Sequence, residues 1–209
     1  MKKIDIIFKL NIIKFFYFNF LKKNIKGKIL PYKGAVLSLG KGSKINIGKA
    51  LHINVGKIKG AKAESYLRLE EEATFNIKNS FKIYYNADIC IFKGATLKIG
   101  SGFMNAGSQI RCKKSIEIGE NVAISRGVTI WDTDAHQIFY EDGRKSVIDK
   151  KVTIGNNVWL GNNVTILKGV KIGNNVIIGA GSVVNKDIPS NMLAVGIPAK
   201  PVKQIKGWK

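Results

Sequence analysis

From Ile154 the chain carries an aliphatic residue at every sixth position: Ile154, Leu160, Ile166, Ile172, Ile178 and Val184. Glycine follows four of them, at Gly155, Gly161, Gly173 and Gly179. A second register runs four places on, through Val158, Val164, Val170 and Val176 to the small Ser182, and Asn-Asn precedes it at 156–157, 162–163 and 174–175. A period of six matches neither an α-helix, at about 3.6, nor a lone strand, at about 2. It describes a chain that runs straight, turns, and runs straight again. Buried strands of an ordinary α/β domain do not require such a phase. Three six-residue sides make one triangular coil, and stacked coils lie about 4.8 Å apart. The aliphatic residue of each side points inward and stacks on its equivalent one coil above. Asn and Gly near the corners tolerate the positive φ of tight turns. The spacing therefore predicts a parallel β-helix, whose coils bury their apolar faces only by stacking.

The same phase is traceable backwards. It starts near Leu39, Ile45 and Leu51, is irregular from 55 to 76, and returns at Ile77, Ile83 and Ile89, then at Ile91, Leu97 and Phe103. The shift between these series implies a small insertion or bulge. Glu70, Glu71 and Glu72 read as a solvated outer face. From Ile110 two registers are firm: Ile110, Ile116, Val122, Val128, and Cys112, Ile118, Ile124, Ile130. Residues 131–151 break the pattern with polar, aromatic and Gly-containing sequence, and the phase is recovered at Ile154. They are expected to form a loop extruded from the prism, a common place for function on a rigid scaffold. The repeat ends near Val184. A tail with Pro189, Pro198 and Pro201 cannot easily extend a regular ladder and should fold back over the last coils. The chain divides into an N-terminal segment 1–33, a β-helix 34–188 and a tail 189–209.

Segment 1–33 is different. It has nine lysines and one acid, Asp5, interleaved with Ile, Phe, Tyr and Leu. Its longest charge-free run, 15–21, is too short to cross a bilayer. A basic, aromatic-rich helix suits either the end of the prism, capping the first coil, or a membrane interface. The two are compatible on different faces.

The 209 residues suffice for one domain with a sizeable core, and 45% are hydrophobic, which excludes a disordered chain. The formal charge of +21 attracts polyanions or an anionic membrane. No helix-turn-helix, zinc-ligand spacing or aromatic RNA motif accompanies it, so nucleic acid is not the expected partner. Cys90 and Cys112 make no disulfide framework or CxxC pair; Cys112 is in phase with the core, and no metal is expected. With no secretory signal evident, a reduced cytoplasm is the expected compartment, with peripheral membrane contact open to residues 1–33.

The stretch Ile154-Gly-Asn-Asn-Val-Trp-Leu-Gly-Asn-Asn-Val through Gly179-Ala-Gly-Ser-Val-Val-Asn-Lys-Asp-Ile-Pro-Ser-Asn to Gly196-Ile-Pro-Ala-Lys-Pro-Val resembles the hexapeptide-repeat acyltransferases. It is most similar to their maltose, galactoside and xenobiotic O-acetyltransferase branch, over about residues 95–203. The resemblance implies a left-handed parallel β-helix, a homotrimer and acetyl-CoA as co-substrate.

His136 is the candidate base. A hydroxyl acceptor loses its proton as it attacks a thioester, and an imidazole with an unperturbed pKa near 6.5 suits that task. Asp132 and Asp134 are close enough in sequence to orient the ring. The residues alone do not choose between them. The Asp-Thr-Asp-Ala-His segment also sits where the similar acetyltransferases place their catalytic histidine. His52, the other histidine, reads as structural. Two histidines cannot supply the three zinc ligands of a carbonic anhydrase of this fold.

For acetyl-CoA, the resemblance implies a groove between subunits bordered by Asn162 and Ala180, with Asn185 and Lys186 further along. It implies Lys200 and Lys203 at the phosphates, where the family often has arginine; lysine keeps the charge and loses the bidentate fork. Trp159 would wall the pantetheine or acceptor pocket, which the resemblance favours, or pack in the trimer interface. Asn105 matches a position that holds the acceptor sugar in the family, and Arg111 is a neighbour suited to an anionic sugar. The leading reading is an O-acetyltransferase for a saccharide, with the basic N-terminus favouring a cell-surface polysaccharide or its precursor. N-acetylation of an amino sugar or nucleotide sugar is the near alternative. A non-catalytic β-helix scaffold is the distant one.

Overall fold

In the computed structural model, which describes residues 10–58 and 60–208, the six-residue phase becomes a three-sided prism. Strands are numbered in chain order. The first face is built from the first half of β3 (Lys44–Val55), β5 (Thr74–Ile77), β8 (Thr96–Ile99), β11 (Ser115–Ile118), β14 (Val152–Ile154) and β17 (Lys171–Ile172). The second takes the other half of β3, β6 (Ser80–Tyr84), β9 (Gly102–Met104), β12 (Val122–Ile124), β15 (Trp159–Leu160), β18 (Ile177–Ile178) and β20 (Met192–Gly196). The third is β2 (Ala35–Leu39), β4 (Ser65–Leu69), β7 (Asp88–Ile91), β10 (Gln109–Cys112), β13 (Thr129–Trp131), β16 (Thr165–Ile166) and β19 (Val183–Val184). The ladders within these faces are all parallel.

Register explains the core. On the first face Ile45, Phe75, Leu97, Ile116 and Val152 lie one above another, all buried. On the third, Leu67, Ile89, Ile110, Ile130, Ile166 and Val184 do the same. Full burial of each such side chain contributes about 1.5–3 kcal/mol. In the neighbouring column Cys112 follows Leu69 and Ile91 as a free, buried thiol. Burial and the Asp132 carboxylate beside it push its pKa far up, so it is an inert core residue. Phe103 departs from expectation. It points outward, between Lys82 and Ala123 in register, and meets Tyr84 edge-on at 6.3 Å; Gly102 and Met104 take the inward positions.

The first corner, between faces one and two, shows why Asn-Asn recurs. Asn121, Asn157, Asn175 and Asn191 adopt φ of 54–62°. Their amides form a continuous ladder: Asn121 donates to Asn157 (2.8 Å), Asn157 to Asn175 (3.0 Å) and Asn175 to Asn191 (2.9 Å). The preceding Asn156 and Asn174 accept from the backbone N–H groups of Glu120 and Asn156. One asparagine thus supplies the left-handed backbone and the next satisfies a corner amide.

The N-terminal segment is helical for a shorter stretch than its composition suggests. A short helix α1 (Ile12–Phe16), capped by Asn11, runs into a π-helical turn (Tyr17–Leu21). The chain is then extended as β1 (Ile25–Pro31), which pairs with β3 beneath the first coil. The β-structure therefore begins before residue 34. Alternating Ile25, Ile29 and Pro31 against lysines gives this piece its strand pattern. The helical segment closes the prism's open end. Asn19 accepts from the Ile29 N–H (2.9 Å) and donates to the Ile29 carbonyl (2.8 Å), as a neighbouring strand would, and Phe18 is buried. Residues 1–9 of the expected basic segment lie outside the described residues.

At the other end β20 gives way to β21 (Ala199–Gln204), which returns antiparallel to it. The chain then runs back so that Trp208 donates to the Asn157 carbonyl (3.0 Å) and lies 6.2 Å from Trp159. No described helix is long and apolar enough to cross a membrane.

Candidate active site

The third corner, between faces three and one, throws out the loop anticipated at 131–151. β13 ends at Trp131 and β14 resumes at Val152. Between them the chain forms an irregular antiparallel hairpin. Thr133 bridges Asp149 and Phe139 bridges Lys145. The Asp134 N–H bonds to the Ile148 carbonyl (3.0 Å), and the Lys150 N–H to that of Asp132 (2.9 Å). Ile138 and Ser146 exchange backbone and hydroxyl bonds near the tip.

Asp132 occupies the inward position above Cys112, in the column where the coils below place Leu69 and Ile91. It is fully buried, and its carboxylate accepts from the N–H groups of Lys113 (2.6 Å), Lys114 (2.8 Å) and Ser115 (2.6 Å). Three backbone donors account for a buried anion without a cation. Asp132 therefore caps the corner below it, its carboxylate turned to backbone donors rather than to His136. Asp134 forms an ion pair with Lys168, whose ammonium also donates to the Val147 carbonyl. Lys168 thus pins both strands of the loop to the next coil.

His136 follows Ala135, whose φ is +62°, and its N–H bonds to the Asp134 carbonyl at 2.7 Å. The tight turn throws the imidazole outward; it is exposed, and neither aspartate carboxylate bonds to it among the described residues. Asp149, one residue before Lys150 in the returning strand, has a buried Oδ1 with no partner among the described residues.

The other sequence-predicted residues fall into three groups. At the third corner, with the loop, are Arg111, paired in register with Trp131, and Asn185 and Lys186, which follow β19 two coils above it. Arg111 donates to the Asp88 carboxylate at 2.6 Å and is half-buried. Its charge is compensated by that carboxylate. At the second corner, between faces two and three, are Asn105, Trp159, Asn162 and Ala180. Trp159 donates from Nε1 to the Ser125 hydroxyl (3.0 Å), directly above Asn105 in register. The Asn162 side chain accepts from Arg126 N–H (3.1 Å), and its carbonyl accepts from Gly181 N–H, which leaves Ala180 exposed on the turn. The third group is Lys200 and Lys203, both exposed on β21.

Within one chain the second and third corners stand at opposite ends of face three. Five residue-to-residue steps, from Gly127 to Asp132, separate them, or about 16 Å of extended strand. One chain therefore does not bring His136 to Asn162 and Ala180. Sequence reading missed Lys168 and Arg126. Lys168 carried no signal in a lysine-rich chain. Arg126, whose guanidinium reaches the Tyr85 hydroxyl at 2.5 Å, is one of few arginines in a chain that otherwise uses lysine, and that scarcity was available. No cluster of metal-ligating side chains occurs among the described residues.

Comparison with known proteins agrees with this fold. Residues 151–186 match the bacterial transferase hexapeptide model of six repeats. A 114-residue stretch is 40% identical to the galactoside O-acetyltransferase of Escherichia coli K12, covering 54% of this chain and 56% of that protein. The chain thus spans about half the length of the curated relatives it matches. The solved structure of the polysialic-acid-specific acetyltransferase NeuO superposes with a TM-score of 0.56 at 28% identity, covering 90% of each chain. That of the polysialic acid O-acetyltransferase OatWY superposes with a TM-score of 0.61 at 26% identity, covering 88% of this chain and 90% of that one. The prism is thus a left-handed parallel β-helix whose residues 151–186 match the hexapeptide-repeat transferase model, and the three relatives named above are O-acetyltransferases.

Proposed function

We propose that this protein transfers the acetyl group of acetyl-CoA to a hydroxyl of a saccharide, in sites assembled between the chains of a cytoplasmic homotrimer. The observation that carries the reading is the position of His136. It is exposed on a loop rooted in a rigid coil, whereas the other histidine, His52, is stacked on Tyr32 within the first coils. The relatives' names supply the group transferred and the class of acceptor. Polysialic acid is a polymer, and a cell-surface polysaccharide or its precursor is the acceptor class this favours.

The separation of the two corners supports the homotrimer. Around a three-fold axis the third corner of one chain faces the second corner of the next, and His136 then meets Asn105, Trp159, Asn162 and Ala180 of a neighbour. The pantetheine arm lies along that seam against backbone groups of Asn162 and Ala180. Lys186, Lys200 and Lys203 face the phosphates as point charges. His136 accepts the proton of the acceptor hydroxyl, and the oxygen attacks the acetyl carbonyl. A backbone N–H steadies the oxyanion. The carbon–sulfur bond then breaks, and the imidazolium returns its proton to the departing thiolate. Asp134 acts through the loop, by its ion pair with Lys168.

The test is acceptor-dependent release of CoA thiol from acetyl-CoA over a panel of oligosaccharides, polysaccharides and nucleotide sugars, with His136→Ala alongside. Release by the wild type, lost by roughly a thousandfold or more in the variant with CoA affinity retained, is the expected result. Equal loss of CoA binding and turnover would refute the role given to His136. A monomer at assay concentration would refute the shared site.

A further inference from the structure

The N-terminal end of the prism presents an apolar surface that is exposed among the described residues. Ile12, Ile13, Phe16, Tyr17, Phe20 and Leu21, from ten consecutive residues of α1 and the π-helical turn, are all exposed, Ile13 at 84% and Phe20 at 70%. Phe16 and Phe20 stack at 5.7 Å, and Phe15 meets both edge-on. This face is opposite the one that caps the prism through Phe18 and Asn19. Exposed apolar side chains this dense mark a surface that is covered in use.

Charge identifies the cover. Between Asp5 and Glu64 the sequence holds thirteen lysines and no aspartate or glutamate. Lys22 sits over the Tyr17 ring at 5.2 Å, at the margin of the apolar face, and Lys23, Lys26, Lys28 and Lys33 are exposed nearby in the chain. A second copy set against this face would bring lysine to lysine, with no carboxylate in the helical segment or β1 to pair them. A surface that is apolar inside and anionic at its boundary satisfies both features together.

We propose that the N-terminal end of the prism docks on an anionic lipid bilayer, with Phe16, Phe20 and their neighbours in the interfacial layer and the lysines on the headgroups. The prism then stands end-on. β13, which carries the His136 loop, is four ladder steps above β2, so the loop is held about 20 Å beyond the first coil. Docking is independent of the acetyltransferase reading, and its test does not use activity.

The test is flotation of the full chain with vesicles of phosphatidylcholine containing phosphatidylglycerol, and with phosphatidylcholine alone, at low and high salt. The expected result is binding to the anionic vesicles only, weakened by salt. Phe16→Ser/Phe20→Ser should lower it at least tenfold while circular dichroism and sedimentation stay unchanged, because both rings are exposed. Lys22→Glu/Lys23→Glu should lower it similarly. No binding by the wild type overturns the proposal, as does undiminished binding by the aromatic variant. Oligomers that the aromatic variant dissolves would assign the face to a second copy instead and overturn it too.

Discussion

Lys168 is ion-paired with Asp134 across the third corner, and it holds the Val147 carbonyl with the same ammonium. One side chain from the coil above therefore grips the outgoing and returning strands of the His136 loop. Lys168→Met removes that grip while leaving the apolar stem. Asp134 is partly solvated, so the stability loss should be small, about 1 kcal/mol. The effect on catalysis should be larger, with turnover down about tenfold and donor KM little changed, because a loosened loop misplaces the base. Lys168→Arg should restore most of the turnover. Wild-type turnover in Lys168→Met would show that the loop's own backbone bonds position it.

Asp132 predicts the opposite balance. Its carboxylate is the acceptor for three backbone donors in a fully buried corner. Asp132→Ala leaves Lys113, Lys114 and Ser115 N–H groups without a partner, at about 1–3 kcal/mol each where water cannot enter. The loss in denaturant titration should be about 3 kcal/mol or more, with Asp132→Asn intermediate because its amide keeps one acceptor oxygen. An Asp132→Ala protein of normal stability and low activity would restore Asp132 to the catalytic role that its sequence position suggested.

These two aspartates show where sequence was informative. The prism was legible because one steric rule, an inward aliphatic residue on every side of every coil, is repeated along the chain. Ile154 to Val184 state it six times. The extruded loop was legible as an interruption of that rule. What lay within the loop was not. Asp132 and Asp134 are two residues apart and chemically alike, and only the register that carries Asp132 inward above Cys112 separates their tasks. Phe103 was misplaced for a related reason. Gly102 and Met104 hold the inward positions, and a phase count prefers the larger apolar residue between them. The partition of His136 and Asn162 onto different corners depends on the handling of three faces, which a linear spacing does not express.

Asn157 stands in the middle of the amide ladder at φ 54°, with one bond to each neighbour. Asn157→Gly deletes both side-chain bonds and relaxes the backbone. Asn157→Ala deletes the same bonds and keeps a Cβ in the left-handed region. The alanine variant should be the less stable by about 1 kcal/mol, which isolates the conformational term. Equal stabilities would mean that the ladder, rather than the backbone conformation, selects asparagine at this corner.

His52 gives the fold a pH dependence of its own. Burial first, then the charges of Lys82 and Lys28, hold its pKa below the ordinary 6.5, and the ring stacks on Tyr32 with its Nδ1 3.3 Å from the phenol oxygen. The folded state therefore favours the neutral ring, while the unfolded chain takes up a proton near pH 6.5. The stability from this linkage is fully present above pH 6.5 and is lost as pH falls through that value towards the depressed folded pKa. Unfolding free energies measured in urea at pH 7.5 and 5.5 should fall on acidification, and His52→Gln should flatten that fall because it removes the titrating group. Carboxylates titrate alike in both proteins, so the difference between the two slopes belongs to His52. Parallel slopes would mean that the ring takes its proton inside the fold without cost, as an imidazole free of Tyr32 and of the two lysines would.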